Sequence, residues 1–263
     1  MRRNFIFIAV LTVVMLIIPS AGWASAGPPE GPVHLALGDS VAFGVGTPNE
    51  AKLGYNAMLN RWAHAIDCRE GPEAACPGLE LVNLSVPGAT SASLIAGQLQ
   101  PALALIADRN GDNDPDNDVI LITLTIGGND LVNPVFQNCP GPNCVPTVQA
   151  IFASYSQNLA LILGSLRAAA PDAQIVMMTY YNPLGSCFRA PLAPLADVLL
   201  EGGPGVPVGF NDIIRLVAAS TDVDIADTYG QLEDADFVGG EDCLHPDISG
   251  YHKIAEIFLD VID

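Results

Sequence analysis

The sequence predicts an α/β protein, a three-layer α/β/α sandwich built on a flavodoxin-like, five-stranded parallel sheet. Short apolar runs alternate along the chain with longer segments in which apolar residues recur every three or four positions. Strands that alternate with helices form βαβ units, whose crossover helices cover both faces of a parallel sheet. The clearest strand is 119–126, because its continuous β-branched and leucine residues are typical of a strand buried on both faces.

The same two patterns of apolar residues predict the other strands and the helices. Apolar runs predict the five strands at residues 33–37, 79–86, 119–126, 174–180 and 223–226. Helical spacing predicts helices at residues 53–66, 93–107, 148–166, 211–220 and 249–262. The Pro- and Gly-rich segment 182–209 predicts mainly a loop. The apolar stretches 132–146 and 181–210 follow the third and fourth predicted strands and are candidates for the wall of an acyl pocket. Four apolar residues favour a short core helix as the alternative: Leu192, Leu195, Val198 and Leu199.

Residues 1–26 have the three parts of an export signal. Two arginines precede the apolar stretch 5–18, and Ala24-Ser25-Ala26 forms a small-residue cleavage site. An uncleaved anchor is the alternative, but the stretch is shorter than the ~20 residues that span a bilayer. We therefore expect a secreted protein whose residues 27–263 form a single domain.

The chain is strongly acidic, with 29 Asp and Glu against 10 Lys and Arg and a net charge of −19. Such a surface repels phosphate backbones and anionic lipid, which argues against nucleic-acid binding. The acidity is consistent with solubility outside the cell. We expect a monomer with no obligatory protein partner.

The six cysteines are an even number in a chain that carries an export signal, which favours disulfides over free thiols. Fifteen connectivities exist. Nearest-neighbour pairing would join Cys68 with Cys76, Cys139 with Cys144, and Cys187 with Cys243. Zinc is the alternative, but no Cys-x-x-Cys pair is present.

Ser40 is the first candidate for chemistry, because Gly38-Asp39-Ser40 directly follows the first predicted strand. Ligands of open α/β sheets bind at the carboxyl ends of the strands. Asp39 and Ser40 are also residue types that cap helix N-termini, so capping is the alternative interpretation. A serine nucleophile further needs a base within hydrogen-bond reach and a group that orients that base.

His245 is the histidine best placed to be that base. It lies just before the last predicted helix, and the spacing of three lets the Asp242 carboxylate approach Nδ1 while Nε2 faces outward. His34 lies within a predicted strand, and His64 and His252 lie on predicted helices. Those three histidines fit packing or surface positions better than catalysis. For the Asp242 and His245 pair taken alone, an ordinary surface loop is the alternative.

Acyl transfer also needs donors for a developing oxyanion. The side-chain amide of Asn129 and the backbone N–H groups of Ser40 and Gly88 are the candidates, since glycine at position 88 would allow close approach of the backbone to a substrate. The alternative for residues 127–130 is an ordinary turn.

Together these segments resemble the four sequence blocks of the SGNH or GDSL hydrolases, in order and in rough spacing. The matching residues are Gly38-Asp39-Ser40, then Asn83 with Pro87-Gly88, then Gly127-Gly128-Asn129-Asp130, then Asp242 with His245. The cysteine pairs are also similar to those of secreted actinobacterial GDSL lipases and esterases. The Gly-x-Ser-x-Gly elbow of the other common serine-hydrolase fold is absent from the sequence.

The resemblance implies a flavodoxin-like α/β/α fold and a role for each matching residue. Ser40 would be the nucleophile, His245 the base and Asp242 its orienting partner, with Ser40, Gly88 and Asn129 forming the oxyanion hole. The implied reaction is two-step hydrolysis of a small-molecule or lipid ester, without a metal or organic cofactor. A carbohydrate acetyl esterase and a non-catalytic carbohydrate-binding domain are the alternatives.

The acidic segment 108–118 suggests a calcium site. Asp108, Asn110 and Asp112 are spaced like the first oxygen ligands of an EF-hand loop, but the turn glycine is at position 111 and Val119 stands where the closing glutamate belongs. A solvated loop without an ion is the alternative.

Overall fold

The computed structural model describes residues 31–67, 78–139, 141 and 144–262. Its central sheet has five parallel strands in the order β2-β1-β3-β4-β5. The strands are β1 (Val33–Gly38), β2 (Glu80–Asn83), β3 (Val119–Thr125), β4 (Gln174–Met178) and β5 (Asp224–Ala226). This result confirms the predicted five-stranded sheet and its flavodoxin-like order.

Helices cover both faces of the sheet, as predicted. They are α1 (Ser40–Phe43), α2 (Glu50–Leu53), α3 (Tyr55–Asp67), α4 (Ser91–Gly97), α5 (Leu99–Arg109), α6 (Gly128–Asn138), α7 (Cys144–Ala169), α8 (Ala193–Glu201), α9 (Phe210–Ser220) and α10 (Ile248–Leu259). On one face α3 packs against α10, where Tyr55 and Phe258 stack with ring centroids 4.7 Å apart. On the other face α7 lies between α5 and α9, and Tyr155 stacks on Phe210 at 4.3 Å. These aromatic pairs anchor each helical layer by burying large apolar surfaces.

Two predicted elements have different bounds. The single helix expected at 93–107 is two helices, α4 and α5, because Gly97 is a poor helix former and the following Gln98 turns its side chain toward the end of β1. There the Gln98 amide exchanges two hydrogen bonds with the backbone of Gly38, at 2.9 and 2.8 Å. β2 is shorter than predicted, since Asn83 Oδ1 accepts the backbone N–H of Ser85 and turns the chain out of the sheet.

Two further segments form regular secondary structure, one a helix and the other a strand. Part of the segment 182–209 forms the helix α8, which was one of its two predicted forms. The segment that carries Asp242 and His245 is a strand, β7 (Asp242–Pro246), paired antiparallel with β6 (Phe237–Gly239). Gly239 and Gly240 have φ values of 71° and 65°, which glycine adopts without strain and which let the chain reverse.

Two of the expected disulfides are present in the described part of the chain. Cys139–Cys144 joins the segments that end α6 and begin α7, and Cys187–Cys243 joins the segment after β4 to β7. The third expected pair, Cys68 with Cys76, lies outside the described residues, as does the export signal. In the part of the chain that the structure describes, none of the helices has both the length and the apolarity needed to cross a membrane.

Candidate active site

Ser40 lies where β1 gives way to α1. Gly38 ends β1 with a φ of 140°, and a Cβ at that position would collide with the carbonyl oxygen of Thr125 at the end of β3. Asp39 caps α1, because its Oδ1 accepts the backbone N–H of Val41 at 3.0 Å. The capping interpretation therefore holds for Asp39, and it leaves the Ser40 hydroxyl free to face the site.

The structure brings Ser40, His245 and Asp242 together. His245 Nε2 lies 2.8 Å from Ser40 Oγ, although the two residues are 205 positions apart in the sequence. On the other side of the ring, His245 Nδ1 lies 2.8 Å from Asp242 Oδ2 and 3.1 Å from Oδ1. An imidazole held in this way can take a proton from the hydroxyl while the carboxylate fixes its orientation.

Asp242 is held in its ionised form by its own strand. Burial acts to raise the pKa of this carboxyl, but the backbone N–H groups of Leu244 and His245 and the His245 ring outweigh burial and lower the pKa below its usual value. The two backbone donors lie 2.9 and 3.0 Å from Oδ1. A charged carboxylate is the form that stabilises an imidazolium beside it.

The neighbours of β7 fix the position of His245. Tyr181 Oη donates a hydrogen bond to the carbonyl of Leu244 at 3.1 Å, and Cys243 is buried in its disulfide with Cys187. Gly46 has a φ of 103°, and a Cβ there would press on the Pro246 carbonyl and the His245 side chain. The segment after β4 and the segment after α1 therefore both hold the strand that carries His245.

The candidate oxyanion donors lie on two neighbouring segments. Asn129 is in the first turn of α6, and its Nδ2 donates to the carbonyl of Ala89 at 2.9 Å, leaving a second N–H on the same atom. Gly88 precedes Ala89 and has a φ of 82°. No described protein atom lies within 4 Å of where its Cβ would be, so its backbone conformation, and not crowding by the protein, explains the glycine.

Asp130 and Asn83 hold these segments in place. Both carboxylate oxygens of Asp130 accept hydrogen bonds from Ser91, one from its hydroxyl at 2.5 Å and one from its backbone N–H at 2.8 Å. This contact joins the first turn of α6 to the first turn of α4. Asn83 Nδ2 donates to the carbonyl of Ala42 at 3.2 Å, which joins β2 to α1. The four sequence blocks therefore meet at the carboxyl edge of the sheet.

An apolar cavity of about 110 Å³ opens beside Ser40 and Asn129. Its wall comes mainly from α6, from the segment after β4, and from α8, and it includes Val132, Val135, Leu184, Ala196, Leu199 and Phe210. Both stretches that the sequence suggests for an acyl pocket, 132–146 and 181–210, contribute to it. Gly88 is not part of this wall and is connected to Asn129 through Ala89.

The sequence did not indicate Tyr180 as a residue of the site. Tyr180 Oη donates to Asp39 Oδ2 at 2.8 Å, and Phe210 packs against Tyr155 behind the cavity. A tyrosine directly after a buried strand was the available signal for Tyr180, since that is where the site residues of such a sheet gather. Phe210 ends the stretch 181–210 that the sequence suggests for the pocket, and the packing of α9 brings its ring to the cavity.

Asp39 is a buried carboxyl that makes stability depend on pH. Burial raises its pKa to about 6, although hydrogen bonds from Tyr180 and Val41 act to lower it. Between pH 4 and 6 the Asp39 carboxyl is deprotonated in the unfolded chain but stays protonated in the folded protein. The free energy of unfolding therefore falls as pH rises through this range. The rise of the Asp39 pKa from 3.8 to about 6 corresponds to a loss of about 3 kcal/mol in the free energy of unfolding above pH 6.

The substitution Asp39→Asn removes this titration and keeps an oxygen that can accept the Val41 N–H. We expect the variant to gain about 3 kcal/mol relative to the wild type between pH 4 and pH 7. Urea unfolding of both proteins at pH 4, 5, 6 and 7 measures the difference. A difference that stays constant across these four pH values would show that the Asp39 pKa is not raised.

In the acidic segment 108–118, side-chain oxygens of Asn110 and Asp112 accept hydrogen bonds from the protein itself. Asn110 Oδ1 accepts the backbone N–H of Val119, and Asp112 accepts hydrogen bonds from Asn117 and from the backbone of Asp114. Among the described residues, no three His, Cys, Asp or Glu side chains are grouped as they are in metal sites. The calcium site at Asp108, Asn110 and Asp112 stays a prediction without a structural counterpart.

Comparisons with known proteins show the family and the fold. A sequence model of the GDSL-like lipase/acylhydrolase family matches residues 36–253. The uncharacterized protein YpmR of Bacillus subtilis (strain 168) is 26% identical over 228 residues, which are 85% of this chain and 78% of that protein.

Solved structures share the fold at low sequence identity. An extracellular lipase from Streptomyces rimosus aligns with a TM-score of 0.58 at 20% identity, covering 88% of this chain and 100% of the lipase. An acetylxylan esterase from Geobacillus stearothermophilus aligns with a TM-score of 0.56 at 19% identity, covering 88% of this chain and 94% of the esterase. Both likenesses extend over nearly the whole of the compared chains and support the α/β/α fold.

Proposed function

The chain belongs to the GDSL-like lipase/acylhydrolase family, and we propose that it is a secreted serine esterase that hydrolyses carboxylic esters. The observation that carries the proposal is the continuous hydrogen-bonded series from Ser40 Oγ through His245 to Asp242. This series opens onto an apolar cavity, which is the environment that the acyl part of an ester would occupy.

The proposed reaction has two steps. Ser40 Oγ attacks the ester carbonyl carbon while its proton passes to His245 Nε2, and the charged Asp242 stabilises the imidazolium. The oxyanion accepts hydrogen bonds from Asn129 Nδ2 and from the backbone N–H groups of Ser40 and Gly88. The alcohol leaves with the proton from His245, and a water activated by the same base then cleaves the acyl-enzyme. The proposal needs no metal or organic cofactor.

Export is proposed from the sequence of residues 1–26 and from the disulfides. Disulfides persist in oxidising compartments, and the described part of the chain contains two. The similar lipase from Streptomyces rimosus is itself named as extracellular. We expect the mature enzyme to act as a monomer on a small-molecule or lipid ester.

A carbohydrate acetyl esterase is the second candidate. Two observations favour it, the small volume of the cavity beside Ser40 and the likeness to an acetylxylan esterase. A non-catalytic binding domain has less support, because a binding surface does not require the aligned serine, histidine and aspartate.

The mature protein should hydrolyse p-nitrophenyl esters, and Ser40→Ala should abolish turnover without unfolding the protein. A panel from acetate to palmitate, run beside acetylated xylooligosaccharides, separates the esterase from the acetyl-carbohydrate esterase by their relative kcat/KM values. Circular dichroism of the variant checks that it is folded. Turnover by Ser40→Ala equal to that of the wild type would refute the serine mechanism, and a folded wild type that hydrolyses none of these esters would favour the binding domain.

A further inference from the structure

A second apolar cavity shares the lining residue Leu199 with the one that opens at Ser40. It has a volume of about 380 Å³ and is lined by the first turns of α7, by α8 and by residues 204–208. Its wall includes Val148, Phe152, Val198 and Val206, and Gln149 is the one side chain with a polar amide among the described residues that line it. The chemistry of this wall fits an alkyl chain and offers little to a polar ligand.

The helix α8 separates the two cavities. Ala196 and Leu200 line only the first, and Leu195 and Val198 line only the second, as expected for two neighbouring stripes of one helix. Leu199 lies between the stripes. Among the described residues it is the one that lines both cavities, and its side chain is 3% exposed.

An aromatic pair completes the wall beside Leu199. Phe210 lines the first cavity and Phe152 the second, and their ring centroids are 5.6 Å apart. Phe210 is also stacked on Tyr155, which keeps its ring in place. Shortening Leu199 would therefore connect the two cavities without displacing this pair.

The volumes indicate how much of an acyl chain each cavity holds. An apolar cavity of ~150 Å³ holds the six carbons of benzene, so the cavity beside Ser40 has room for about four carbons. At the same volume per carbon, the second cavity has room for roughly fifteen. A palmitoyl chain buried along its whole length would need both cavities, whereas acetyl and butyryl groups need only the first.

We infer that Leu199 sets the acyl-chain length of the enzyme, restricting it to short acyl groups by closing the first cavity against the second. This inference rests on the proposed esterase function and names its substrate class, short-chain carboxylic esters. The second cavity becomes an acyl site when the Leu199 side chain is shortened.

The test compares kcat/KM for p-nitrophenyl palmitate and butyrate. The wild type should favour butyrate at least tenfold, and Leu199→Ala should raise the palmitate-to-butyrate ratio at least tenfold. Leu195→Ala is the matched control, because it removes the same atoms from the same helix but enlarges only the second cavity, and its ratio should stay within twofold of the wild type. The double variant Leu199→Ala/Val206→Trp places a bulky ring in the second cavity and should return the ratio toward the wild-type value.

Palmitate binding gives a second measurement that does not depend on hydrolysis. In the Ser40→Ala background, Leu199→Ala should bind palmitate at least tenfold more tightly, as measured by displacement of a fluorescent alkyl probe. If Leu199→Ala is too unstable to purify, Leu199→Val takes its place. That variant should raise the palmitate-to-butyrate ratio and the affinity for palmitate by about threefold. A folded Leu199 variant with unchanged ratio and unchanged palmitate binding would overturn the inference. A wild type without any ester turnover would instead count against the proposed function, and the binding measurement would still test the cavity.

Discussion

Replacing His245 with alanine is expected to lower kcat/KM for ester hydrolysis by ~10⁴- to 10⁶-fold, while the protein stays folded. The imidazole is the group within 2.8 Å of Ser40 Oγ that can accept its proton, and a serine hydroxyl without a base is a poor nucleophile. The side chain is on a short strand at the edge of the site, so its loss should cost little stability. Hydrolysis of p-nitrophenyl butyrate measures the effect.

His252→Ala is the matched control for this substitution. His252 lies on α10, about half-exposed, where its ring contacts Trp62 and Glu256. It should retain at least half of the wild-type kcat/KM. Equal losses in the two variants would mean that His245 acts through stability and not as the base.

Replacing Asn129 with alanine is expected to lower kcat by ~10²- to 10³-fold with little change in KM. An oxyanion donor acts mainly in the transition state, when negative charge develops on the carbonyl oxygen, so its removal slows the chemical step more than it weakens substrate binding. Steady-state kinetics on p-nitrophenyl butyrate separate the two parameters.

Asn133→Ala serves as the control for Asn129, because Asn133 is exposed on the same helix. Its kcat should match that of the wild type. If Asn129→Ala raised KM and left kcat unchanged, Asn129 would be a binding residue and the proposed oxyanion hole would need another donor.

The features that the sequence predicted well are those that depend on local patterns. Residues 119–126 are apolar at nearly every position, and the structure places β3 there, at the centre of the sheet. Ser40, Asn129 and His245 were each found next to a predicted element, and the fold then brings these three positions to one edge. The resemblance of their order and spacing to the four blocks of the SGNH or GDSL hydrolases supplied the link between them.

The features that the sequence did not predict depend on contacts between distant residues. β6 and β7 are three and five residues long, too short to show an alternating pattern, and their pairing relies on the turn at Gly239 and Gly240. The break between α4 and α5 relies on the contact of Gln98 with Gly38, 60 residues away. Local periodicity carries no information about either contact.

Covalent labelling of Ser40 by an organophosphate tests whether this residue is the nucleophile. Diethyl p-nitrophenyl phosphate reacts with an activated serine by forming an oxygen–phosphorus bond and releasing p-nitrophenol, which leaves a stable diethyl phosphoryl group on the hydroxyl. Treated wild-type protein should lose its esterase activity, gain one such group, and carry it on Ser40 in the peptide that mass spectrometry identifies. An unlabelled Ser40 in fully inhibited protein, or a label on another residue, would contradict the proposal that Ser40 is the nucleophile.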